Sequence, residues 1–106
     1  MLNTTLENIM PTVTVTHTET RPTLDVAWYR TPTDYINYIQ KYNDIRHRTV
    51  YGWTSSPDML SRTFVVSYSS QADYDTFRND AQSVEEHAKI TAHNTANNIT
   101  RSKTIS

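Results

Sequence analysis

Strict alternation near the N-terminus is the feature that most constrains the fold. Residues 12–19 read Thr-Val-Thr-Val-Thr-His-Thr-Glu, so Val13, Val15 and His17 lie on one side of an extended chain and the threonines on the other. β-branched residues at a period of two are typical of a strand that buries one face. A sheet is therefore part of the fold, and one side of this strand carries hydroxyl groups.

A second alternating run covers residues 24–30, after an interruption at Pro22. Proline withholds a hydrogen-bond donor from the sheet and favours an extended residue before it. Residues 20–23 contain neither the Gly nor the Asn that a tight hairpin turn prefers. A hairpin and one kinked strand both remain open, and we favour a kinked strand over residues 12–30.

The next segment predicts a helix over residues 32–45. Thr31 offers an N-cap hydroxyl, Pro32 suits the first helical position, and Asp34 follows in the first turn. Behind this start, aromatic and apolar side chains recur at i, i+3, i+4 and i+7, at Tyr35, Tyr38, Ile39 and Tyr42. This spacing predicts that the tyrosines pack against the sheet.

A β-hairpin is predicted next, from strands over residues 49–54 and 60–68 and a turn at 55–58. Gly52, the only glycine of the chain, indicates a bulge or a close backbone approach. Val65 adds an apolar residue to the second face of its strand, which favours a central position in the sheet.

A long second helix is predicted to start at Ser70, which precedes Asp73 in a capping-box pattern. Its apolar stripe would consist of Tyr74, Phe77, Ala81, Val84, Ala88, Ala92 and Ile99. Residues 96–106 are polar, and we interpret them as a tail, with a short fourth strand as the alternative.

Together these elements predict an α+β fold of ferredoxin-like order, β-α-β-β-α(-β). Two helices would cover one face of an antiparallel sheet, and a second copy of the chain would cover the open face. We divide the chain into an N-terminal extension (1–11), one domain (12–95) and a polar C-terminal tail (96–106).

Composition excludes several classes of function. One glycine and no cysteine among 106 residues exclude a disulfide scaffold, a cysteine metal site and a glycine-rich phosphate loop. Ten basic and eleven acidic side chains leave a net charge of −1, so we expect no nucleic-acid partner. Apolar runs are too short to span a membrane, and no export signal is visible, so we expect a cytoplasmic or virion location.

Candidate site residues fall into two groups. The cavity or interface candidates are His17, Trp28, Trp53 and Tyr68, and the anion or interface candidates are Arg46, His47 and Arg48. Arginine suits both bidentate anion contacts and protein interfaces.

The histidines give no metal site. His87 and His93 are six residues apart on one predicted helix, so they point about 120° from each other and cannot share a metal ion. We predict no catalytic residue, metal or cofactor.

Two functions remain open. The missing motifs, together with a Thr- and Asn-rich composition that resembles small phage or virus virion components, favour a non-enzymatic assembly protein. Its partners would be further copies of itself or other structural proteins.

In the order of their elements, residues 12–95 resemble the antibiotic-biosynthesis-monooxygenase-like proteins, whose dimers close two sheets around a cavity. That resemblance implies a dimeric α+β-barrel protein that binds, or oxidises, a small molecule.

Overall fold

The computed structural model describes residues 12–48 and 52–106. Within them, the strands are β1 (Val13–Thr20), β2 (Arg46–Arg48), β3 (Thr54–Ser55), β4 (Ser61–Tyr68) and β5 (Thr100–Ile105). The helices are α1 (Thr33–Tyr38), which a 3-10 turn (Ile39–Tyr42) extends, α2 (Gln71–Arg78) and α3 (Ala81–Ala96). The protein has an α+β fold with one antiparallel sheet, as predicted.

The described strands are ordered β2-β4-β1-β5 across the sheet, and β3 pairs with β4 on the same edge as β2. All pairs are antiparallel, and Val15 of β1 lies opposite Val66 on one side and Ile105 on the other. The predicted strands over residues 12–19 and 60–68 are confirmed, and so is the central position of β4.

The segment after β1 corrects the prediction of a longer or split strand, since residues 24–30 form no strand. β1 is already paired with both β4 and β5, so a further strand has no free edge beside it. The Arg21 side chain also holds the turn by donating to the carbonyl oxygens of Met59 and Val26, at 2.8–3.1 Å.

The first predicted helix is shorter than expected. Its α-helical part covers six residues, and Pro32 occupies the N-cap position, so the Thr31 hydroxyl caps nothing.

The tyrosine stripe also has a different partner from the predicted sheet. The hydroxyls of Tyr38 and Tyr42 donate to Asp80, at 2.7 and 2.6 Å.

The predicted hairpin is present in part. Residues 49–51 lie outside the described residues, and β3 follows them. Gly52 has a φ of 83°, in the left-handed region that favours glycine. A Cβ atom there would meet no atom within 4 Å, so the backbone conformation, and not a close approach, calls for glycine.

The long second helix is divided in two. Ser70 caps α2 as predicted, but Asp80 begins α3 by accepting hydrogen bonds from the backbone N–H groups of Gln82 and Ser83. The predicted apolar stripe is wrong within α3, where Val84 is 55% exposed, whereas its last residue, Ile99, is buried after the helix ends. The buried residues of α3 are instead polar, namely Ser83, Glu86 and Asn94.

The C-terminal residues, which we interpreted as a tail, add the outer strand β5 beside β1. The predicted N-terminal extension, 1–11, lies outside the described residues. Within the described residues the main apolar cluster is small and consists of Val13, Val15, Val66, Tyr68 and Tyr74, and Ile99 is buried as well. No helix in the described part of the chain is long and apolar enough to cross a membrane.

Candidate anion-binding cleft

The two faces of the sheet differ sharply in chemistry. The inner face, which the helices contact, carries five cationic side chains in β2, β4 and β5, namely Arg46, Arg48, Arg62, Arg101 and Lys103. The outer face carries mainly hydroxyl groups, among them those of Thr14, Thr16, Thr18, Thr63 and Ser67. Strand alternation separates the two sets, because successive side chains point to opposite faces.

Glu19 pairs with two of the cations on the inner face and is fully buried. Its carboxylate accepts from Arg62 Nε at 2.8 Å, from Arg101 Nη1 at 2.6 Å and from Asn94 Nδ2 at 3.1 Å. Burial would raise the pKa of Glu19, but the hydrogen bonds from Asn94 and the two arginines hold it below its usual value. Glu19 is therefore ionised and compensates part of the positive charge.

His17 is neutral on this face. Burial, followed by the charges of Arg101, Lys103 and Arg46, lowers the pKa of His17 to about 3. Arg101 Nη2 lies 3.2 Å from His17 Nδ1. Since a guanidinium group can only donate, Nδ1 accepts and the ring proton is on Nε2. The histidine therefore adds no charge to the inner face at neutral pH.

A cleft of about 1190 Å³ separates the inner face from the helices. This is larger than the pockets of about 300–1,000 Å³ that usually hold small ligands. Apart from the cations, its lining includes seven aromatic side chains, those of Tyr29, Tyr35, Trp53, Phe64, Tyr68, Tyr74 and Phe77. The cleft thus offers both positive charge and apolar rings.

Three arginines lie within cation–π distance of these rings. The guanidinium carbon lies 3.9 Å from the ring centroid of Trp53 for Arg62, 4.2 Å from that of Phe64 for Arg48, and 4.6 Å from that of Phe77 for Arg46. The aromatic lining therefore attracts the same side chains that carry the positive charge of the cleft.

The structure brings together most of the residues that the sequence indicated. His17, Trp53 and Tyr68 line the cleft, as do Arg46 and Arg48 of the second group.

Trp28 and His47 lie elsewhere. Trp28 is outside the cleft lining and packs against Arg21 and Arg62, each with its guanidinium carbon 4.6 Å from the ring centroid. His47 is exposed, because it alternates with its two arginine neighbours and lies opposite Ser67 on the outer face.

Sequence reasoning missed several residues of the cleft, among them Glu19, Asn94, Arg101 and Lys103. Arg101 and Lys103 lie in the segment that we interpreted as a tail, although they alternate with Thr and Ser at the period of a strand. Glu19 ends the same alternating run as His17, and a carboxylate at an inward position was a sign of buried cations. Asn94 gave no signal, since nothing in a polar helix marks which face is buried.

Comparison of the chain with protein-family models, with curated proteins and with solved structures gives no match. The function is therefore argued from the cleft itself.

Proposed function

We propose that this protein binds a small anionic molecule with an aromatic or apolar body in the cleft between the sheet and the helices. The observation that carries the proposal is the inner face, where five cations share one side of the sheet. The buried carboxylates of the cleft lining are Glu19, which pairs with two of these cations, and Glu86. The five cations are half of the ten basic residues of a chain whose net charge is −1. Charge of one sign in a cleft attracts oppositely charged ligands and speeds their association.

The energetics of the cleft support an anionic ligand. Glu19 compensates Arg62 and Arg101, whereas Arg46 and Lys103 contact no carboxylate within residues 12–48 and 52–106. Like charges held together in a partly desolvated space repel one another. A bound anion would relieve that repulsion, and the neighbouring aromatic rings would cover its apolar part.

We propose a ferredoxin-like topology as the framework of this site. The strand order supports it. α1 connects β1 to β2, and β4 lies between these two strands. α2 and α3 connect β4 to β5, and β1 lies between these two strands. β3 then continues the edge that β2 begins. The resemblance to the antibiotic-biosynthesis-monooxygenase-like proteins agrees with small-molecule binding, and we assign no reaction to the cleft.

Isothermal titration calorimetry with 2-naphthoate tests this function. The matched neutral compound is 2-naphthamide, which has the same ring system without the charge. We expect saturable 1:1 binding of 2-naphthoate, at least about tenfold tighter than that of 2-naphthamide, because hydrogen bonds to a charged group are the stronger ones. Absence of saturable binding, or equal affinity for the two compounds, would contradict anion binding.

Self-association through the outer face is a second candidate. Cross-strand hydroxyl pairs cover this face, for example Thr20 and Ser61 at 2.9 Å and Thr14 and Ser67 at 3.3 Å. The contacts of α2 and α3 with the sheet run through the inner face, as from Tyr74 to Tyr68 and from Asn94 to Glu19. A second copy, with its own outer face, would supply the missing layer.

Sedimentation velocity tests this second candidate. Thr16 and Val65 lie opposite each other on the outer face. We expect the wild type to sediment as a dimer and the Thr16→Arg/Val65→Arg variant as a folded monomer, because paired cations would repel their counterparts across the interface. A monomeric wild type would contradict self-association.

A further inference from the structure

Two tyrosines lie side by side at the β2 side of the cleft. Tyr68 of β4 is 2% exposed and Tyr74 of α2 is 5% exposed, and their ring centroids are 5.0 Å apart. Both residues line the cleft. Both side chains are therefore largely removed from bulk water and border the space that a ligand would fill.

Each phenol oxygen already accepts a hydrogen bond from a cation. Arg46 Nε donates to the Tyr68 oxygen at 3.2 Å, and Lys103 Nζ donates to the Tyr74 oxygen at 2.9 Å. A phenol that accepts still has its own proton to donate.

That proton has no acceptor on either tyrosine within the described part of the chain. Buried hydroxyl groups in folded proteins normally use their donors. The Tyr68–Tyr74 ring contact thus joins two O–H groups and two cations, and no carboxylate of the described residues pairs with these cations.

We propose that this cluster of Arg46, Tyr68, Tyr74 and Lys103 is the site for the oxyanion of the ligand, a carboxylate or a phosphate. The inference rests on the proposed function and states where the charged group binds. Each phenol donates to one oxygen of the anion, and the two cations supply charge-assisted donors beside it. The tyrosine rings keep water away and so strengthen these bonds.

The surroundings of the cluster also indicate what the rest of the ligand is. The Phe77 ring centroid lies 5.9 Å from that of Tyr68 and 4.6 Å from the Arg46 guanidinium carbon. An apolar wall therefore begins directly beside the proposed oxyanion site. An aryl carboxylate or an aryl phosphate matches this arrangement, since its ring lies next to its charged group.

Burial also keeps the Tyr68 hydroxyl in its donor form. Desolvation raises the pKa of Tyr68, against the opposing effect of the Arg46 charge. Tyr68 is therefore protonated at neutral pH and available as a donor.

The double variant Tyr68→Phe/Tyr74→Phe tests the site, because it removes both donors and keeps both rings. We expect its Kd for 2-naphthoate to rise at least about tenfold, with the Kd for 2-naphthamide unchanged. The matched control is Tyr42→Phe, whose hydroxyl donates to Asp80 outside the cleft, and its affinity for 2-naphthoate should equal that of the wild type.

If circular dichroism shows that the double variant does not fold, Lys103→Gln tests the site instead. Lys103 is exposed and lies outside the core, so we expect this variant to fold. The Kd for 2-naphthoate should then rise about tenfold through loss of the charge-assisted donor. A wild type that binds no 2-naphthoate removes the proposed function itself. A wild type that binds it, together with variants that bind equally well, removes only the placement of the oxyanion.

Repeating the titration with 2-naphthyl phosphate distinguishes between a carboxylate and a phosphate as the head group of the ligand. Both compounds should lose affinity in the double variant if the cluster binds their oxyanion. The compound that binds the wild type more tightly identifies the head group that the site is built for. Loss of affinity for neither compound contradicts the placement.

Discussion

At the scale of single residues, Glu19 joins the parts of the molecule that the sequence keeps far apart. Its one carboxylate binds Arg62 of β4, Arg101 of β5 and Asn94 of α3. A buried charge is tolerated only when it is paired and hydrogen-bonded, and here three elements provide the partners. This contact explains why a polar C-terminal segment is ordered as a strand: its arginine compensates a charge that β1 buries.

His17 makes the stability of the protein depend on pH. The folded pKa is about 3, against an ordinary value of 6.5, so below pH 6.5 the unfolded chain takes up a proton that the folded chain refuses. Stability is therefore complete above about pH 6.5 and falls as the pH drops from 6.5 toward 3. Between pH 7 and pH 5, this linkage amounts to about 2 kcal/mol.

Urea denaturation of the wild type and of His17→Gln at the two pH values checks this expectation. The free energy of unfolding should fall with acidification by about 2 kcal/mol more in the wild type than in the variant. The control is His47→Gln, which replaces an exposed histidine and should keep the wild-type pH dependence. Equal pH dependence in wild type and His17→Gln would show that His17 is not the group responsible.

Residue types in the cleft were predictable only where a local pattern marked the face on which they lie. His17 alternates with valines, so its face was marked, whereas Arg46, His47 and Arg48 were chosen together as a basic run, and the strand that separates His47 from the two arginines was not predicted. Arg101 alternates equally well, but its segment has few apolar residues, so the strand was visible only once a partner charge was known. Partners distant in sequence, such as Asn94 and Glu19, cannot be predicted from local spacing.

At the scale of elements, Asp80 connects the two ends of the helical layer. Its Oδ1 accepts from the first N–H groups of α3, while its Oδ2 accepts from the hydroxyls of Tyr38 and Tyr42 in the segment after β1. These bonds lower the pKa of Asp80 to about 2, with the Tyr42 bond contributing most. One carboxylate thus caps one helix and fixes another.

Asp80→Ala should therefore destabilise the protein more than Ser70→Ala, in which one ordinary cap is removed. A lost cap costs about 1 kcal/mol, and each of the two tyrosine hydrogen bonds to this partly exposed carboxylate adds about 1 kcal/mol. We expect a loss of about 3 kcal/mol or more for Asp80→Ala and about 1 kcal/mol for Ser70→Ala, measured by urea denaturation at pH 7. Equal losses would contradict the double role of Asp80.

Element prediction succeeded where a signal is local and failed where tertiary pairing decides. Ser70 caps its helix from sequence-adjacent chemistry, and β1 and β4 alternate cleanly. Residues 24–30 alternate as well, yet they form no strand because both edges of β1 are taken. The break at Asp80 changes which side of α3 is buried, which an uninterrupted helical wheel could not reveal.

At the scale of the whole molecule, charge is separated although the chain is close to neutral. Cations gather on the inner face of the sheet, and most of the carboxylates lie outside the cleft. The apolar core is small, and a cleft of about 1190 Å³ occupies the space where helices and sheet would otherwise pack. An anionic ligand with an apolar body would supply both the missing charge and the missing apolar contact, and we propose that the cleft binds such a ligand.

The most direct measurement of that claim is the set of intermolecular NOEs between 2-naphthoate and the labelled protein in solution. We predict NOEs from the naphthalene protons to the rings of Phe77 and Trp53, which line the cleft. The internal reference is the set of methyl groups of Thr16 and Thr63 on the outer face. NOEs to the two rings and none to the threonine methyls would support binding between the sheet and the helices. NOEs to the threonine methyls, or no intermolecular NOEs at a saturating concentration, would contradict it.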